Sequence, residues 1–258
     1  MPEAVVIVPC FNEERRLRDD DFIALVRDGE VRLVFVDDGS TDATASRVRA
    51  MTERAGGRIA LLQLPENRGK GEAVRAGLLH ALTGSPVAVG YIDADLSTPP
   101  DEILRLHHAL ERPGVSVVMG ARIRLLGTQI QREAARHYLG RVFATVASLI
   151  LRLPVYDTQC GAKFFRVGEP LRRALAQPFR SRWAFDVELI GRLLTGSPAL
   201  SSAEFLEVPL TRWTDVSGSR LGSGQMVGAA IDLISIAAEL RRKRRARSDA
   251  TEADPARE

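Results

Sequence analysis

The sequence predicts a doubly wound α/β protein on a mostly parallel sheet, followed by a C-terminal amphipathic helix. Three observations carry this. Apolar runs alternate with helix-patterned stretches through the first hundred residues, the signature of buried parallel strands and their crossovers. Each apolar run ends in a polar cluster: "CFNEE" at 10–14, "DDGSTD" at 37–42, "ENRGKG" at 66–71 and "DADLS" at 93–97. Residues 225–240, "QMVGAAIDLISIAAEL", separate into two stripes at helical spacing.

"AVVIVP" (4–9) is a continuous apolar run and predicts a buried strand. "RRLRDDDFIALVRDG" predicts a helix that ends near Gly29, and "VRLVFVDDGS" (31–40) a second buried strand. The helix after it can be capped by Ser40 or Thr41, and Gly56 and Gly57 stop it. "IALLQLPEN" is a third strand, "KGEAVRAGLLHAL" a helix opened by Gly69 and Gly71, and "PVAVGYIDAD" a fourth strand. Beyond residue 100 the pattern loosens. "VSVVMGAR" reads as a strand, 131–153 as one long helix or a helix pair, and "DTQCGAKFFR" as a loop entering a strand. "WAFDVELIGRLL" reads as a helix and "AEFLEVPLTRW" as a strand. In 225–240, Gln225, Gly228, Asp232, Ser235 and Glu239 form one stripe, and Met226, Val227, Ile231, Ile234 and Ala238 the other. The expected organisation is a catalytic domain over 1–222, an amphipathic helix with a basic end over 223–247 and a disordered polar tail over 248–258. Within the domain, 1–100 holds the four polar clusters and is expected to be the nucleotide-binding half.

The 258 residues are 45% apolar, enough for one sizeable domain, and net charge is only +3. The charge is uneven. Between Arg122 and Arg152 stand six arginines and a single acid, Glu133, and "RRKRRAR" occupies 241–247. Either cluster suits phosphates or an anionic membrane surface. No aromatic residues interleave with the second, which disfavours nucleic acid. The two cysteines have no metal-type spacing and imply a reduced, cytoplasmic setting. The start lacks a signal-peptide pattern. The longest apolar run near the basic region, "VFATVASLIL" (142–151), is too short to span a bilayer.

Asp93 and Asp95 are one residue apart after a strand, so their side chains point the same way. They can be an acid/base pair, a metal site or solvated loop acids. An Asp-x-Asp at a strand end suits Mg²⁺ or Mn²⁺, which take oxygen ligands and let substrate phosphates complete the shell. No histidine clusters with them, which disfavours zinc. Together with "VDDGS" and "ENRGKG" at neighbouring strand ends they describe a nucleotide-diphosphate site. No G-x-x-x-x-G-K-[ST] is present, and no G-x-G-x-x-G follows the first strand, so ATPase and dinucleotide redox chemistry are disfavoured. Arg122, Arg132 and Arg136 form a guanidinium set suited to a phosphate monoester, gripped through bidentate pairs.

"VVIVPCFNEE", "LVFVDDGSTDAT", "ENRGKGEAVRAGL" and "YIDADLSTPP" resemble the successive signatures of the family 2 inverting glycosyltransferases, which have the GT-A fold. "MGARI", "DTQCGAKFFR", "RWAFDVEL" and "RWTDVSGSRL" resemble the dolichyl-phosphate β-glucosyltransferase branch, related to polyprenyl-phosphate mannose synthases. The resemblance implies that Pro9, Phe11, Glu13 and Asp38 line the nucleoside pocket, with Lys70 near the base or diphosphate. It implies that Asp93 and Asp95 form the metal–diphosphate centre with Mg²⁺ or Mn²⁺. Ser97 stands where the mannose synthases often carry a glutamine ligand. Arg122 and Arg136, and more weakly Arg132, match arginines that hold a lipid phosphate, and the resemblance in the later motifs implies that 101–222 is the acceptor half. Asp157 is the candidate base or sugar-orienting residue, in a loop with Gln159 that would close over sugar and acceptor. The implied reaction moves a hexose, glucose from UDP-glucose before mannose from GDP-mannose, onto a polyprenyl phosphate at a membrane surface. A soluble acceptor and a non-catalytic sugar-nucleotide-binding module are the alternatives.

Several of these residues have structural readings too. Asp37 and Asp38 can cap a helix. Lys70 can be a solvated helix start, and Asp186 and Glu188 surface or capping acids. Arg132 and Arg136, one turn apart, can be a solvated face. Trp183, Trp213 and Cys160 read as packing residues, and the 241–247 cluster as a helix-terminal run.

Overall fold

The structure is a computed structural model that describes residues 3–131, 134–215 and 223–252, with the side chains of 134–139 and of part of the last helix outside the description. Chain order is β1 (Ala4–Cys10), α1 (Asp19–Val26), β2 (Val31–Asp37), α2 (Thr44–Arg54), β3 (Ile59–Gln63), α3 (Lys70–Leu82), β4 (Ala88–Tyr91), α4 (Pro100–Ala109) and β5 (Val117–Ala121). Then follow β6 (Gln129–Gln131), α5 (Ala134–Leu151), β7 (Lys163–Arg166), α6 (Glu169–Leu175), α7 (Phe185–Thr195), β8 (Phe205–Pro209), β9 (Arg212–Thr214) and α8 (Ser223–Glu252).

Seven strands form the main sheet in the order β3-β2-β1-β4-β7-β5-β8. All neighbours are parallel except β7, which runs antiparallel to both β4 and β5. The period-2 alternation of buried strands divides the core in two. Val6 and Val8 of β1 pack with α1, α2 and α4 on one face, while Ile7 packs with α3, α5, α6, α7 and α8 on the other. The α3 crossover lies very close to the sheet. A Cβ at Gly77 would stand 2.4 Å from an Ile7 methyl, so only glycine fits there.

The first four expected strands and three expected helices are present. The 131–153 stretch forms one helix over 134–151. The expected strand at 203–213 is interrupted after Pro209, and its second half, β9, pairs with β6 in a separate two-stranded sheet. The sequence reading did not foresee α4, β6 or α6.

The last helix differs in which face it buries. Leu233, Ile236 and Leu240 enter the core, whereas Ile231 and Ile234 are 62% and 71% exposed. Asp232 and Glu239, from the polar stripe, turn to the protein: Asp232 accepts from the Ser181 hydroxyl, and Glu239 pairs with Arg180 at 3.0 Å. The helix continues to Glu252, five residues into the stretch expected as a tail. Residues 253–258 lie outside the described residues.

Candidate active site

The carboxyl ends of β1, β2 and β4 carry the polar clusters to one edge of the sheet. Pro9 is buried at the end of β1, and Phe11 and Glu13 follow it half-buried. Glu13 is paired with Arg16, whose Nε lies 2.6 Å from Oε2. The loop after β1 and the loop after β2 are stitched together. Asn12, at φ 54°, donates its N–H to the Ser40 hydroxyl at 3.0 Å and accepts from the Thr41 N–H at 2.8 Å. Left-handed φ suits asparagine better than most residues.

Asp37 and Asp38 are both buried at 2% exposure. Asp37 accepts from the Ser40 N–H at 3.0 Å, a bond within the loop and not a cap on α2, which starts only at Thr44. Asp38 reaches across to the 66–69 loop and takes the N–H groups of Arg68 and Gly69, each at 2.8 Å. Its carboxylate therefore shapes the entry to α3. Arg182 clamps the same loop from outside, through the Asn67 side chain at 2.7 Å and the Arg68 carbonyl at 3.1 Å.

That entry delivers Lys70. Its ammonium forms an ion pair with Asp93 Oδ1, just beyond β4. Burial pushes the Asp93 carboxyl up, but Lys70, with Arg122 and Lys163 behind it, outweighs burial and leaves it below the ordinary carboxylate value. Asp93 also has backbone against it. A Cβ at Gly161 would fall 1.8 Å from Asp93 Oδ2.

Asp95 Oδ1 accepts from the Ser97 N–H at 3.0 Å and from its hydroxyl at 2.7 Å. Ser97 is buried at 6% exposure and therefore orients Asp95. Among the described residues no group of three or more His, Cys, Asp or Glu side chains could hold a metal ion. Two oxygen-donor acids beside a lysine nevertheless fit a hard divalent ion whose remaining ligands are phosphate oxygens and water.

On the far side of β7, Arg122 follows β5. Asp157 takes its Nε at 2.7 Å, its Nη2 at 2.8 Å and its N–H at 3.1 Å, and also accepts from the Gln159 N–H at 3.1 Å. The guanidinium lies over Trp213, 5.3 Å from the ring centroid. The Nε–Nη2 fork expected to grip a phosphate is therefore engaged by Asp157, and Nη1 is the remaining edge. Arg132 lies outside the described residues; Arg136 falls in α5, but its side chain is outside the description.

Asp186 and Glu188 are not surface acids. They are 5% and 2% exposed and sit in interior ion pairs with Lys163, at 2.5 Å, and Arg192, at 2.6 Å. Trp183 packs edge-on against Phe143, and Cys160 is fully buried with its thiol pushed up to about 11, chiefly by burial. Sequence reasoning missed Lys163, Tyr91 and Gly161. The only signal for them was their place in "DTQCGAKFF" and "GYIDAD", beside residues it had singled out.

A mostly parallel α/β sheet with its acids gathered at the carboxyl edge defines the class: an α/β enzyme that works at the strand ends. The comparisons narrow it. Residues 5–168 match the model of Glycosyl transferase family 2, and the chain belongs to that family. The dolichyl-phosphate beta-glucosyltransferase of Dictyostelium discoideum is 32% identical over 235 residues, spanning 84% of this chain and 68% of the relative. The protein of the same name from Drosophila melanogaster is 33% identical, over 85% of this chain and 69% of the relative. The human one is 30% identical, over 84% and 68%. Among solved structures, glucosyl-3-phosphoglycerate synthase from Mycobacterium tuberculosis, in complex with Mn²⁺, UDP-glucose and phosphoglyceric acid, superposes with a TM-score of 0.65. It is 21% identical, over 92% of this chain and 80% of that one, and shares the fold.

Proposed function

We propose that the chain transfers glucose from UDP-glucose to a polyprenyl phosphate of the dolichyl type, with inversion at the sugar C1. The relatives' names support the glucose and the lipid. One observation joins them to this molecule: the short loop 157–161 holds the acceptor-side Arg122 at its first residue and touches the donor-side Asp93 at its fifth. Leaving group and nucleophile thus meet across one short loop.

Asp93 and Asp95 would hold a divalent ion, Mg²⁺ or Mn²⁺, whose chemistry is to neutralise charge on the departing nucleotide diphosphate. Lys70 brings a second cation to that diphosphate. Pro9, Phe11 and Glu13 border the nucleoside, and Asp38 acts through the 66–69 loop. Arg122 offers Nη1 to the acceptor phosphate, and Arg132 and Arg136 are assigned to the same phosphate. A phosphate monoester has a second pKa of about 6 and is mostly dianionic near neutrality, so it attacks C1 without needing a base. With its carboxylate held by Arg122 and by the Gln159 N–H, Asp157 is assigned the orientation of Arg122 and not proton removal. The gain comes from positioning and from charge stabilisation.

No helix among the described residues is long and apolar enough to cross a membrane. Contact with a bilayer surface is proposed through α5 and α8, which pack on each other. Val142 and Leu149 on α5 are 64% and 74% exposed, Ile231 and Ile234 on α8 are exposed as well, and Arg152, Arg241 and Arg245 gather around Asp249. An apolar strip with a basic end matches an anionic bilayer. The test is radiolabelled UDP-glucose and GDP-mannose, each with Mn²⁺ and a polyprenyl phosphate in detergent. Labelled lipid from UDP-glucose is expected; transfer only from GDP-mannose, or from neither, rejects the assignment.

A further inference from the structure

A second ion pair lies under the Lys70–Asp93 pair, and the proposed reaction leaves it unused. Lys163 is fully buried, a condition lysines almost never meet without a partner. Antiparallel pairing of β4 with β7 sets it beside Tyr91. Its ammonium donates to Asp186 Oδ1 and to the Cys160 carbonyl, each at 2.5 Å, and lies 5.3 Å from the Tyr91 ring centroid. The Tyr91 hydroxyl donates to the same Asp186 oxygen. Strands β4 and β7 and helix α7 therefore meet at one carboxylate oxygen.

Both sides of this knot lead to Asp93. Tyr91 precedes it by two residues on the same chain segment. The Cys160 carbonyl belongs to the residue before Gly161, whose Cα face lies directly against the Asp93 carboxylate. We infer that Lys163 and Asp186 are positioning residues for the Asp93 centre: they pin the Cys160–Gly161 turn and the end of β4 so that the Asp93 carboxylate has a single place to stand. The inference rests on the role given above to Asp93. Stability alone is a poor account of the pair, because well-packed apolar residues of similar volume usually replace a buried ion pair with no loss. Contact with substrate is excluded by the complete burial of Lys163.

Two variants of the full chain separate positioning from stability. Lys163→Met strands the Asp186 charge. Tyr91→Phe/Lys163→Met/Asp186→Leu removes the polar side chains of the network together. Thermal midpoint, Mn²⁺ affinity in the presence of UDP, kcat and the KM for polyprenyl phosphate are measured on each. Losing partners that orient metal ligands lowers metal affinity by about 10–100-fold. That loss is expected in both variants, with kcat falling and the acceptor KM unchanged, while the triple variant recovers the thermal midpoint that Lys163→Met loses. Wild-type Mn²⁺ affinity in the triple variant would overturn the inference, and so would a Lys163→Met protein that is less stable but binds Mn²⁺ normally. If Lys163→Met does not fold, the triple variant decides alone. Wild-type protein that binds Mn²⁺ and UDP yet transfers no glucose would reject the proposed reaction and leave the affinity comparison valid.

Discussion

Adding one methyl group at Gly161 should disable the enzyme without unfolding it. The new Cβ would stand 1.8 Å from Asp93 Oδ2, 2.2 Å from Cγ and 2.5 Å from Oδ1. The whole carboxylate head is inside the contact limit. Real Cβ atoms essentially never approach closer than 3.0 Å, so the turn or the carboxylate must retreat by about 1 Å or more. The turn is held by β7 and by the Lys163 bond to the Cys160 carbonyl; the carboxylate is held at its exposed side by Lys70. The carboxylate therefore yields, and the Lys70 pair is disrupted. A misplacement of about 1 Å at reacting groups costs on the order of 100-fold in rate, and overpacking costs about 1–3 kcal/mol of stability. Gly161→Ala is expected to melt a few degrees lower, bind Mn²⁺ and UDP more weakly, and lose about two orders of magnitude in kcat/KM. Thermal melts, Mn²⁺ titration and the labelled-lipid assay check this. A folded Gly161→Ala protein with kcat/KM and Mn²⁺ affinity within about twofold of wild type would refute the placement of Asp93.

Asp157→Ala leaves Arg122 charged and mostly buried beside Trp213, and removing one member of a buried pair costs roughly 3–5 kcal/mol; a lower melting point and a raised KM for the lipid phosphate are expected, and an unchanged KM would remove Arg122 from the acceptor site. Ser97→Ala deletes the hydroxyl bond to Asp95, worth about 0.5–1.5 kcal/mol or up to about tenfold in Mn²⁺ affinity; isothermal titration reads it, and a complete loss of binding would make Ser97 a ligand. The Lys70–Asp93 pair carries a pH signature. Because Asp93 is held below its ordinary value, the pair stabilises the metal-free protein fully above about pH 4 and is lost as pH falls through the lowered value. In Lys70→Met burial pushes Asp93 up, so the acid loss of stability in denaturant titrations should begin at higher pH; an unmoved profile would contradict the pairing.

Local physics made part of this legible from sequence. The helix at 70–82 was foreseen to the residue, because a glycine at each flank of its start and a single apolar period leave little choice. Asp93 and Asp95 stood out because two like charges at the end of an apolar run are unusual. Topology hid the rest. Nothing local says that β7 inserts antiparallel between β4 and β5, so the neighbours of Lys163 were invisible and its burial ran against the usual habit of lysine. Asp186 and Glu188 were misplaced at the surface for the same reason: their partners, Lys163 and Arg192, are recognisable only once β7 and α7 are packed. In α8 apolar residues also lie outside the two expected stripes, at Leu233, Ile236 and Leu240, so periodicity alone could not choose the buried face. That choice came from Leu233, Ile236 and Leu240, which fit against α7 where Gly191 leaves room: a Cβ there would meet Leu240 at 2.6 Å.

The reversed direction of β7 governs how many chain segments can reach the working edge. In a wholly parallel sheet every strand sends its following loop to that edge and its preceding loop to the opposite one. A strand laid the other way brings the residues before it, 157–162, to the edge already crowded by the loops after β1, β2, β3, β4, β5 and β8. Seven connections then share one rim, and one of them is tied by the Asp157–Arg122 ion pair at one end and lies against the Asp93 carboxylate at the other. A tether of that length has no slack: an insertion of even one residue between Asp157 and Gly161 would release one anchor. Diversification of the acceptor is therefore expected in the longer 122–128 connection, where chain can be added without loosening the donor side.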